Sequence, residues 1–411
     1  MALFTKKTTI STDEKVIEEV LTRSVSAIYP SKDIFKKALM SGRRLRFYIG
    51  ADATGSQLHI GHATNFMLLE KLRKLGHEII FLFGDFTAMI GDPTDKNATR
   101  VQLSREQVVE NIKDWKEQIG RIIDFKNKSN PVRFEKNSAW LAKLNFTDLI
   151  KLASHFTVQQ MIERDMFEKR LKDNKPIYVH EFFYPLMQGY DSVAMDVDAE
   201  VGGNDQTFNM LAGRTLQKIY NSKEKFVITT TLLENPKTGK KLMSKSEGDY
   251  IALNDSAAEM FGKTMALPDE AILSVFTDCT YVSMTEIEQI KAELAAGKNP
   301  KDVKIRLAKE IVALYHGPVA AKEAAENFEK IFSGGAIPTD APKVTVSAGE
   351  KLVDVLVREK IIDSKSDFRR LIDGRAISYV GGEDISDYNF KLEKSGTIRI
   401  GKKRFVTIEL K

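Results

Sequence analysis

RLRFYIGADATGSQLHIGHATNFMLLEKLRKLGHEIIFLFGDF, residues 44–86, decides the fold of this chain. It opens with a short apolar strand pattern, continues with leucines at helical spacing, and ends in an apolar run typical of a strand covered on both faces. Strand, helix and strand predict a βαβ unit, in which ligands bind at the carboxyl ends of the strands. His59 and His62 lie at the turn from strand to helix. Because the N–H groups at a helix amino terminus attract anions, we expect a phosphate beside these histidines.

The composition is that of a globular chain with room for two or three domains. Of its 411 residues, 42% are hydrophobic and 29% are charged, and the formal net charge of +5 fits a polyanionic partner without requiring one. No apolar run approaches the roughly 20 residues of a membrane span, and the opening MALFTKKTTISTDEK lacks the hydrophobic core of a signal peptide. Cys279 is the only cysteine. We therefore expect a cytoplasmic protein with no membrane partner, no disulfide and no protein-bound metal.

The order of patterns along the chain predicts three structured regions and a linker. Residues 1–232 are expected to form an α/β domain with a Rossmann-like parallel sheet, interrupted by an inserted helical segment at about 103–180. Residues 233–333 carry a lysine-rich loop and then helical patterns. Residues 334–349, rich in Gly, Pro, Ser and Thr, predict a linker, and 350–411 predict a small α+β module with two helices and three strands.

Two helices are expected inside the inserted segment. Ser104 and Gln107 have the spacing of a capping box at the start of the first helix. Residues 148–174 are amphipathic throughout and predict a second, long helix.

A second chemical signal, GKKLMSKSEGDYIAL, occupies residues 239–253. Alone, such a lysine- and glycine-rich stretch is typical of a solvated turn. Together, HIGH at 59–62 and LMSKS at 242–246 resemble the signature of class I aminoacyl-tRNA synthetases, matching HIGH in all four letters and KMSKS in four of five. Leu242 replaces the first lysine, and the sequence leaves open whether Lys240 or Lys241 substitutes for it.

The resemblance implies an enzyme that activates an amino acid with ATP and Mg²⁺. A carboxylate oxygen attacks the α-phosphate and pyrophosphate leaves, so catalysis consists mainly of positioning and electrostatic stabilisation. The resemblance assigns catalytic roles to His59 and His62, to Lys245 on the loop and to the hydroxyl of Thr54. The residues that it places at ATP are Gly61, Lys96, Arg100, Gly202, Gly203, Asp205, Gln206, Met243 and Ser244.

The substrate amino acid is indicated by a narrower resemblance, to the bacterial tyrosyl-tRNA synthetases. Tyr48 and Asp191 match the pair that hydrogen-bonds the phenolic hydroxyl of tyrosine in that family. Asp92, Tyr184 and Gln188 match residues around the substrate's ammonium group. A buried site with unpaired hydroxyl partners rejects phenylalanine, a principle for which a tyrosyl synthetase is itself a known example.

The terminal module resembles a small RNA-binding domain first known from a ribosomal small-subunit protein, through SDFRRLIDGRAISYVGGEDI at 366–385. Its basic residues are expected to contact RNA phosphates. They are Lys365, Arg369, Arg370, Arg375, Lys402, Lys403 and Arg404. The resemblance therefore implies tyrosine, ATP and tRNA(Tyr) as partners, and a homodimer.

Three other functions fit parts of the sequence. A tryptophanyl-type synthetase shares both motifs, but the polar pair Tyr48 and Asp191 argues against it. A small nucleotidyltransferase also uses a histidine-rich phosphate motif, but it does not account for the lysine loop or the RNA module. A non-catalytic RNA-binding protein on the same fold would be indicated by loss of Lys245, His59 or His62, all of which are present.

Overall fold

The structure, a computed structural model, describes residues 9–411 except 54, 56, 93–103, 164, 244–249, 335–341, 381, 383, 402 and 403. The chain divides into two compact units, Met1–Pro318 and Val319–Lys411. Several predicted site residues lie outside the described residues. They are Thr54, Lys96, Arg100, Ser244, Lys245, Lys402 and Lys403.

A six-stranded sheet forms the centre of the first unit. Its strands are β1 (Val25–Tyr29), β2 (Arg46–Ala51), β3 (Glu78–Phe83), β4 (Arg133–Lys136), β5 (Ala199–Gly203) and β6 (Phe226–Thr230). They are arranged in the order β1-β6-β5-β2-β3-β4. All neighbours are parallel except β1, which runs antiparallel to β6. The predicted α/β fold with a parallel-rich sheet is therefore confirmed.

Helices connect and cover these strands. They are α1 (Glu14–Thr22), α2 (Lys32–Met40), α3 (Ile60–Lys74), α4 (Arg105–Ile119), α5 (Ser138–Leu141), α6 (Phe146–Ala153), α7 (Val158–Ile162), α8 (Asp165–Lys172), α9 (Phe183–Met195), α10 (Thr207–Asn221), α11 (Ala257–Met265), α12 (Ile272–Cys279), α13 (Met284–Ala295) and α14 (Pro300–His316). Short 3₁₀ turns occupy Thr87–Met89, Val179–Phe182, Asn204–Gln206 and Asp269–Ala271. The quoted stretch forms β2, α3 and β3, and α3 packs against β3, β5 and α12. Among the described residues, none of the helices has both the length and the apolarity needed to cross a bilayer.

The inserted segment differs from the prediction. The single long helix expected over 148–174 is wrong, because the chain forms α6, α7 and α8 instead. A capping box starts α7 inside the predicted helix: Thr157 Oγ1 accepts from the Gln160 N–H at 3.2 Å, and Gln160 Oε1 accepts from the Thr157 N–H at 2.9 Å. The segment also supplies β4, an edge strand paired with β3. The capping box expected of Ser104 and Gln107 is present at the start of α4.

The second unit is built on a four-stranded sheet. Helix α15 (Pro318–Gly334) begins at the boundary between the units, followed by β7 (Lys343–Val346), α16 (Leu352–Arg358), α17 (Lys365–Asp373), β8 (Ile377–Tyr379), β9 (Gly396–Ile400) and β10 (Arg404–Leu410). The strand order is β7-β10-β9-β8. Strand β7 lies in the stretch predicted as linker, so Lys343–Val346 form a strand where the sequence predicted none. Its alternate residues Val344 and Val346 enter the core of the module, and its backbone pairs in parallel with β10.

Candidate active site

The two histidines lie at the amino terminus of α3. His59 is the N-cap residue, and its backbone N–H donates to Nδ1 of His62 at 3.2 Å. The two ring centroids are 3.8 Å apart. A Cβ at Gly61 would lie 3.1 Å from His59 Nδ1, so the small residue lets the ring lie against the turn. Because Nδ1 of neutral His62 accepts a hydrogen bond, the proton is on Nε2, which can donate to an anion.

The described residues on both sides of the signature loop contact this same turn. On one side Met243 is buried, and its Cβ would lie 3.6 Å from a Cβ at Gly61. On the other side the N–H of Ile60 donates to the carbonyl of Ile251 at 3.0 Å. The two motifs are 180 residues apart, and their flanking segments meet at one place. Lys245 itself lies outside the described residues, so its role stays a prediction.

The substitution in the signature loop has a local structural setting. Leu242 is half-buried, and its N–H donates to the carbonyl of Leu233 at 2.9 Å. Lys240 and Lys241 beside it are both exposed. The replacement of the missing lysine by Lys240 or Lys241 stays a prediction.

Tyr48 and Asp191 belong to one buried polar wall. The hydroxyl of Tyr48, on β2, shares a hydrogen bond of 2.8 Å with Ser192 Oγ, the residue after Asp191 on α9. The Asp191 carboxylate accepts from Trp140 Nε1 at 2.6 Å and from Asn137 Nδ2 at 3.2 Å. Burial raises the pKa of the Tyr48 phenol, and nearby Glu200 and Asp191 add to this effect. Burial also raises the pKa of the Asp191 carboxyl, while hydrogen bonds from Trp140 and Asn137 oppose the rise.

A chain of hydrogen bonds links Asp191 to Tyr184. The Tyr184 hydroxyl donates to Asp52 Oδ2 at 2.8 Å, and Thr87 Oγ1 donates to Asp52 Oδ1 at 2.6 Å. Asn137 Nδ2 closes the chain by donating to Thr87 Oγ1 at 2.9 Å as well as to Asp191. Burial, followed by the charge of Asp52, raises the pKa of Tyr184. The two ends of the predicted tyrosine site therefore share one network.

Sequence reasoning missed four members of this network: Asp52, Thr87, Asn137 and Trp140. Asp52 carries a usable signal, because it directly follows β2 at the edge where α/β proteins bind ligands. The others lie on the 3₁₀ turn after β3 and on the segment after β4. Their positions depend on strand pairing that no local pattern records.

Gln188 lies against a buried ion pair. Its Nε2 donates to Glu200 Oε1 at 3.0 Å, and the other carboxylate oxygen of Glu200 pairs with Lys225. Lys225 Nζ also donates to Ser192 Oγ at 2.9 Å. Burial lowers the pKa of Lys225, and Glu200 opposes this shift. Neither charged residue was predicted, since a lysine just before an apolar strand ordinarily lies in solvent.

The residues predicted at ATP follow β5 along the same edge of the sheet. Gly202 and Gly203 end β5, and Asp205 and Gln206 form the 3₁₀ turn before α10. A Cβ at Gly203 would lie 2.5 Å from Asp205 Oδ1, so a side chain at this position would displace the Asp205 carboxylate. Gln206 Nε2 donates to Asp92 Oδ2 at 2.7 Å, which ties the predicted ammonium-binding carboxylate to this turn.

The basic residues of the second unit are exposed, and several have acidic partners. Lys365 Nζ lies 2.7 Å from Asp354 Oδ1. Arg370 and Arg404 approach the two oxygens of Asp367 at 2.6 and 3.8 Å. Further described basic residues of the predicted set are exposed on and after α17: Arg369 and Arg375. This surface suits a polyanion, because exposed ion pairs are weak and phosphates can replace the carboxylates.

Among the described residues the geometry is that of a class I synthetase, because a histidine-bearing helix start and the two flanks of the lysine-rich loop meet at the carboxyl edge of a parallel sheet. The profile of the family described as tRNA synthetases class I (W and Y) matches residues 40–333. This match covers well over half of the chain. The chain therefore belongs to that family.

Within the family, the chain is similar to tyrosine–tRNA ligases over nearly its whole length. It is 44% identical over 405 residues to the tyrosine–tRNA ligase of Carboxydothermus hydrogenoformans, covering 95% of this chain and 97% of the relative. It is 43% identical over 402 residues to that of Shewanella oneidensis, covering 97% and 99%. The solved structure of a C-terminally truncated Aspergillus nidulans mitochondrial tyrosyl-tRNA synthetase matches with a TM-score of 0.66 at 22% identity, over 77% of this chain and 94% of that one. That likeness supports the fold.

Proposed function

We propose that this protein is a tyrosine–tRNA ligase. It converts tyrosine and ATP to tyrosyl-adenylate and pyrophosphate, and then transfers tyrosine to the 3′ end of tRNA(Tyr) for protein synthesis. The observation that carries this assignment is similarity over almost the entire chain, 44% identity over 405 residues in one case. The buried polar groups around Tyr48 and Asp191 agree with it, because the indole of tryptophan has no hydroxyl to pair with them.

The activation step is a displacement at phosphorus. A carboxylate oxygen of tyrosine attacks the α-phosphorus of ATP, and the bond from that phosphorus to the bridging oxygen of the β-phosphate breaks. Pyrophosphate leaves with the bonding electron pair, accompanied by the Mg²⁺ that arrives as part of the ATP substrate. No proton transfer is needed at the reacting atoms, so the chain's own contribution is to orient the reactants and to stabilise the developing charge.

The four residues with assigned catalytic roles act at the phosphates. His59 and His62 donate from the amino terminus of α3, where the helix N–H groups and the helix dipole also attract negative charge. The hydroxyl of Thr54 donates to the same phosphates, and Lys245 is assigned to the leaving pyrophosphate. A preorganised donor of this kind typically contributes about 2–4 kcal/mol to transition-state stabilisation.

The tyrosine pocket is assigned to the buried polar network. Asp191 accepts a hydrogen bond from the phenolic hydroxyl of the substrate, and Tyr48 donates a hydrogen bond to the oxygen of that hydroxyl. Tyr184, Gln188 and Asp92 surround the ammonium group. Phenylalanine would leave Asp191 and Tyr48 without their hydrogen bonds to the substrate hydroxyl, at a cost of about 1–3 kcal/mol or more.

The remaining ATP contacts are assigned along the carboxyl edge of the sheet. Gly202 and Gly203 allow close approach of the backbone to the nucleotide, and Asp205 binds a ribose hydroxyl. Lys96 and Arg100 hold the pyrophosphate. The other residues assigned to this part of the site are Gly61, Gln206, Met243 and Ser244.

The second unit is assigned to tRNA. Exposed Arg369 and Arg375 bind phosphates directly, while Lys365, Arg370 and Arg404 exchange carboxylate partners for phosphates. Lys402 and Lys403 complete the basic set. A protein that supplies translation in this way acts in the cytoplasm.

A homodimer is the assembly that the surface supports. Helix α6 exposes Phe146 and Ile150, which are 77% and 56% exposed and one turn apart, and α7 exposes Val158 at 66%. Apolar side chains grouped on successive helices are typical of a contact surface, and a second copy of this chain is the partner that we assign to it. Phe146→Glu should shift the protein from dimer to monomer in sedimentation equilibrium. A wild type that sediments as a monomer would contradict this assembly.

The experiment that tests the function is amino-acid-dependent exchange between ATP and pyrophosphate with each of the twenty amino acids, followed by charging of tRNA. We expect exchange with tyrosine and charging of tRNA(Tyr). Exchange with tryptophan but not tyrosine would make the protein a tryptophanyl-type enzyme. An absence of exchange with every amino acid, together with tRNA binding, would make it a non-catalytic RNA-binding protein.

A further inference from the structure

A buried lysine lies behind the tyrosine pocket, and no step of the activation chemistry uses it. Lys225 is 0% exposed and its partner Glu200 is 1% exposed. A Cβ at position 213 of α10 would lie 2.5 Å from Lys225 Nζ, so Gly213 provides the space for the ammonium group. Taking two charges out of water is energetically costly unless their attraction and further hydrogen bonds compensate for the lost hydration. An ion pair of this kind needs further hydrogen bonds, and here their partners are Ser192 and Gln188, beside the proposed tyrosine pocket.

A first branch of hydrogen bonds runs from Lys225 through Ser192 to Tyr48, which is proposed to bind the phenol of the substrate. An ammonium group can only donate, so Ser192 Oγ accepts from Lys225 Nζ at 2.9 Å. The field of the ammonium favours a Ser192 hydroxyl whose proton points away from it, toward the Tyr48 oxygen at 2.8 Å. Tyr48 then donates its own proton, which the neighbouring Glu200 carboxylate accepts; a substrate oxygen would take the place of Glu200 as the acceptor from Tyr48. Asp191, an acceptor, lies in the same wall, so a phenolic hydroxyl between them accepts from Tyr48 and donates to Asp191.

A second branch runs from Glu200 to Gln188, which is proposed to bind the ammonium group of the substrate. A carboxylate can only accept, so Gln188 presents Nε2 to Glu200 Oε1 at 3.0 Å. This orientation leaves the amide oxygen of Gln188 for the substrate, and an oxygen is the atom that an ammonium group requires. Gln188 and Ser192 are one turn apart on α9, so both branches act on one face of one helix. Glu200 is also the residue paired with Tyr48 across the β2–β5 ladder.

We propose that Lys225 is a positioning residue that, through Ser192 and Glu200, sets the direction of hydrogen bonding at both polar ends of the tyrosine pocket. The phenolic oxygen thereby meets a donor and the ammonium group meets an acceptor. This inference rests on the proposed function, because it takes tyrosine to be the occupant of the pocket.

The first test is Ser192→Ala, which cuts the branch to Tyr48 and leaves the ion pair in place. In pyrophosphate exchange, kcat/KM for tyrosine should fall about three- to tenfold, the usual value of one neutral hydrogen bond. The value for phenylalanine should stay within about twofold, since phenylalanine has no hydroxyl. The matched control is Thr264→Val, which removes another fully buried hydroxyl, bonded at 2.8 Å to the Met260 carbonyl on α11. It should leave the preference for tyrosine unchanged.

The second test is the double variant Lys225→Met with Glu200→Gln, which leaves no unpaired buried charge. The preference for tyrosine should narrow as in Ser192→Ala. The new amide at position 200 can donate as well as accept, so Gln188 loses its fixed orientation. KM should therefore rise about three- to tenfold for tyrosine and phenylalanine alike. Urea unfolding of each variant separates these changes from a loss of folded protein.

The outcomes separate this inference from the assignment on which it rests. A wild type without tyrosine-dependent exchange would overturn the proposed function. A wild type that exchanges with tyrosine, combined with an unchanged preference in Ser192→Ala or an unchanged KM in the double variant, would overturn only the positioning role. Equal losses for both amino acids in Ser192→Ala would also overturn it, because they would indicate a structural defect.

Discussion

Replacing Asp191 by asparagine keeps the shape of the side chain and removes the charge that the proposed phenol contact uses. Both carboxylate oxygens already accept hydrogen bonds, from Trp140 Nε1 at 2.6 Å and from Asn137 Nδ2 at 3.2 Å. An asparagine has only one acceptor oxygen, so its NH₂ group must face one of these donors. Asn137 cannot easily turn its amide to compensate, because its own oxygen accepts from the N–H of Phe86 at 2.9 Å.

The expected magnitudes follow from these contacts. In the variant, the NH₂ group of the asparagine faces the donor of Trp140 or Asn137 without a hydrogen bond. This loss should lower the free energy of unfolding of the first unit by about 1–3 kcal/mol. A hydrogen bond from the substrate to a charged group contributes about 1.5–3 kcal/mol, so kcat/KM for tyrosine should fall about ten- to hundredfold. Phenylalanine has no hydroxyl and should be little affected. The ratio of kcat/KM for tyrosine to that for phenylalanine should therefore fall by the same factor.

The measurement is pyrophosphate exchange with tyrosine and phenylalanine at protein concentrations corrected for the folded fraction. Asp198→Asn is the matched control, because Asp198 is another buried carboxylate. It lies just before β5 at the opposite end of the parallel strands, where it accepts from the Arg46 N–H at 2.8 Å. The control should lose stability without a change in preference. An Asp191→Asn variant with an unchanged preference, or with equal losses for both amino acids, would place the phenol of the substrate elsewhere.

Four further predictions test other parts of the molecule. Lys245→Ala should slow adenylate formation by an amount equivalent to about 2–4 kcal/mol while tyrosine affinity measured by equilibrium dialysis stays constant; equal weakening of both would refute a transition-state role. Gly84→Ala should raise KM for tyrosine, because a Cβ at this position would overlap Asp52 Oδ1, which helps to hold the proposed pocket; an unchanged KM would remove this carboxylate from the site. Burial lowers the pKa of His77 from 6.5 to about 4. Between these values only the unfolded chain takes up the proton, so the free energy of unfolding is highest above pH 6.5 and falls by about 3 kcal/mol at most toward pH 4. Urea unfolding followed by tryptophan fluorescence reports on the first unit, because both tryptophans lie there. The free energy of unfolding should fall less steeply with decreasing pH in His77→Gln than in the wild type, and parallel curves of this free energy against pH would refute the assignment. A chain ending at Pro342 should keep pyrophosphate exchange but lose tRNA charging and the steep salt dependence of tRNA binding; full charging by the shortened chain would leave the second unit without its proposed role.

Local sequence patterns predict much of this structure. The strand, helix and strand of residues 44–86 were predictable because apolar runs and helical spacing are properties of neighbouring residues. The same holds for the capping box of Ser104 and Gln107 and for the helices and last three strands of the second unit. The errors have the same origin. Residues 148–174 keep a helical pattern across two breaks, and β7 is too short and too close to glycine and proline to stand out from a linker.

By itself, the sequence determined the chemistry of the molecule: histidines at a helix start, a lysine loop, and a tyrosine and an aspartate suited to a phenol. Only the tertiary structure decided how these parts meet. It inserts β5 between β2 and β6, which places Glu200 beside Tyr48 and brings Lys225 beneath both. It also joins Tyr184 to Asp191 through side chains from separate strand ends. The reason is physical: helical and strand periodicity act over a few residues, whereas burial of a charge depends on which distant segments pack around it.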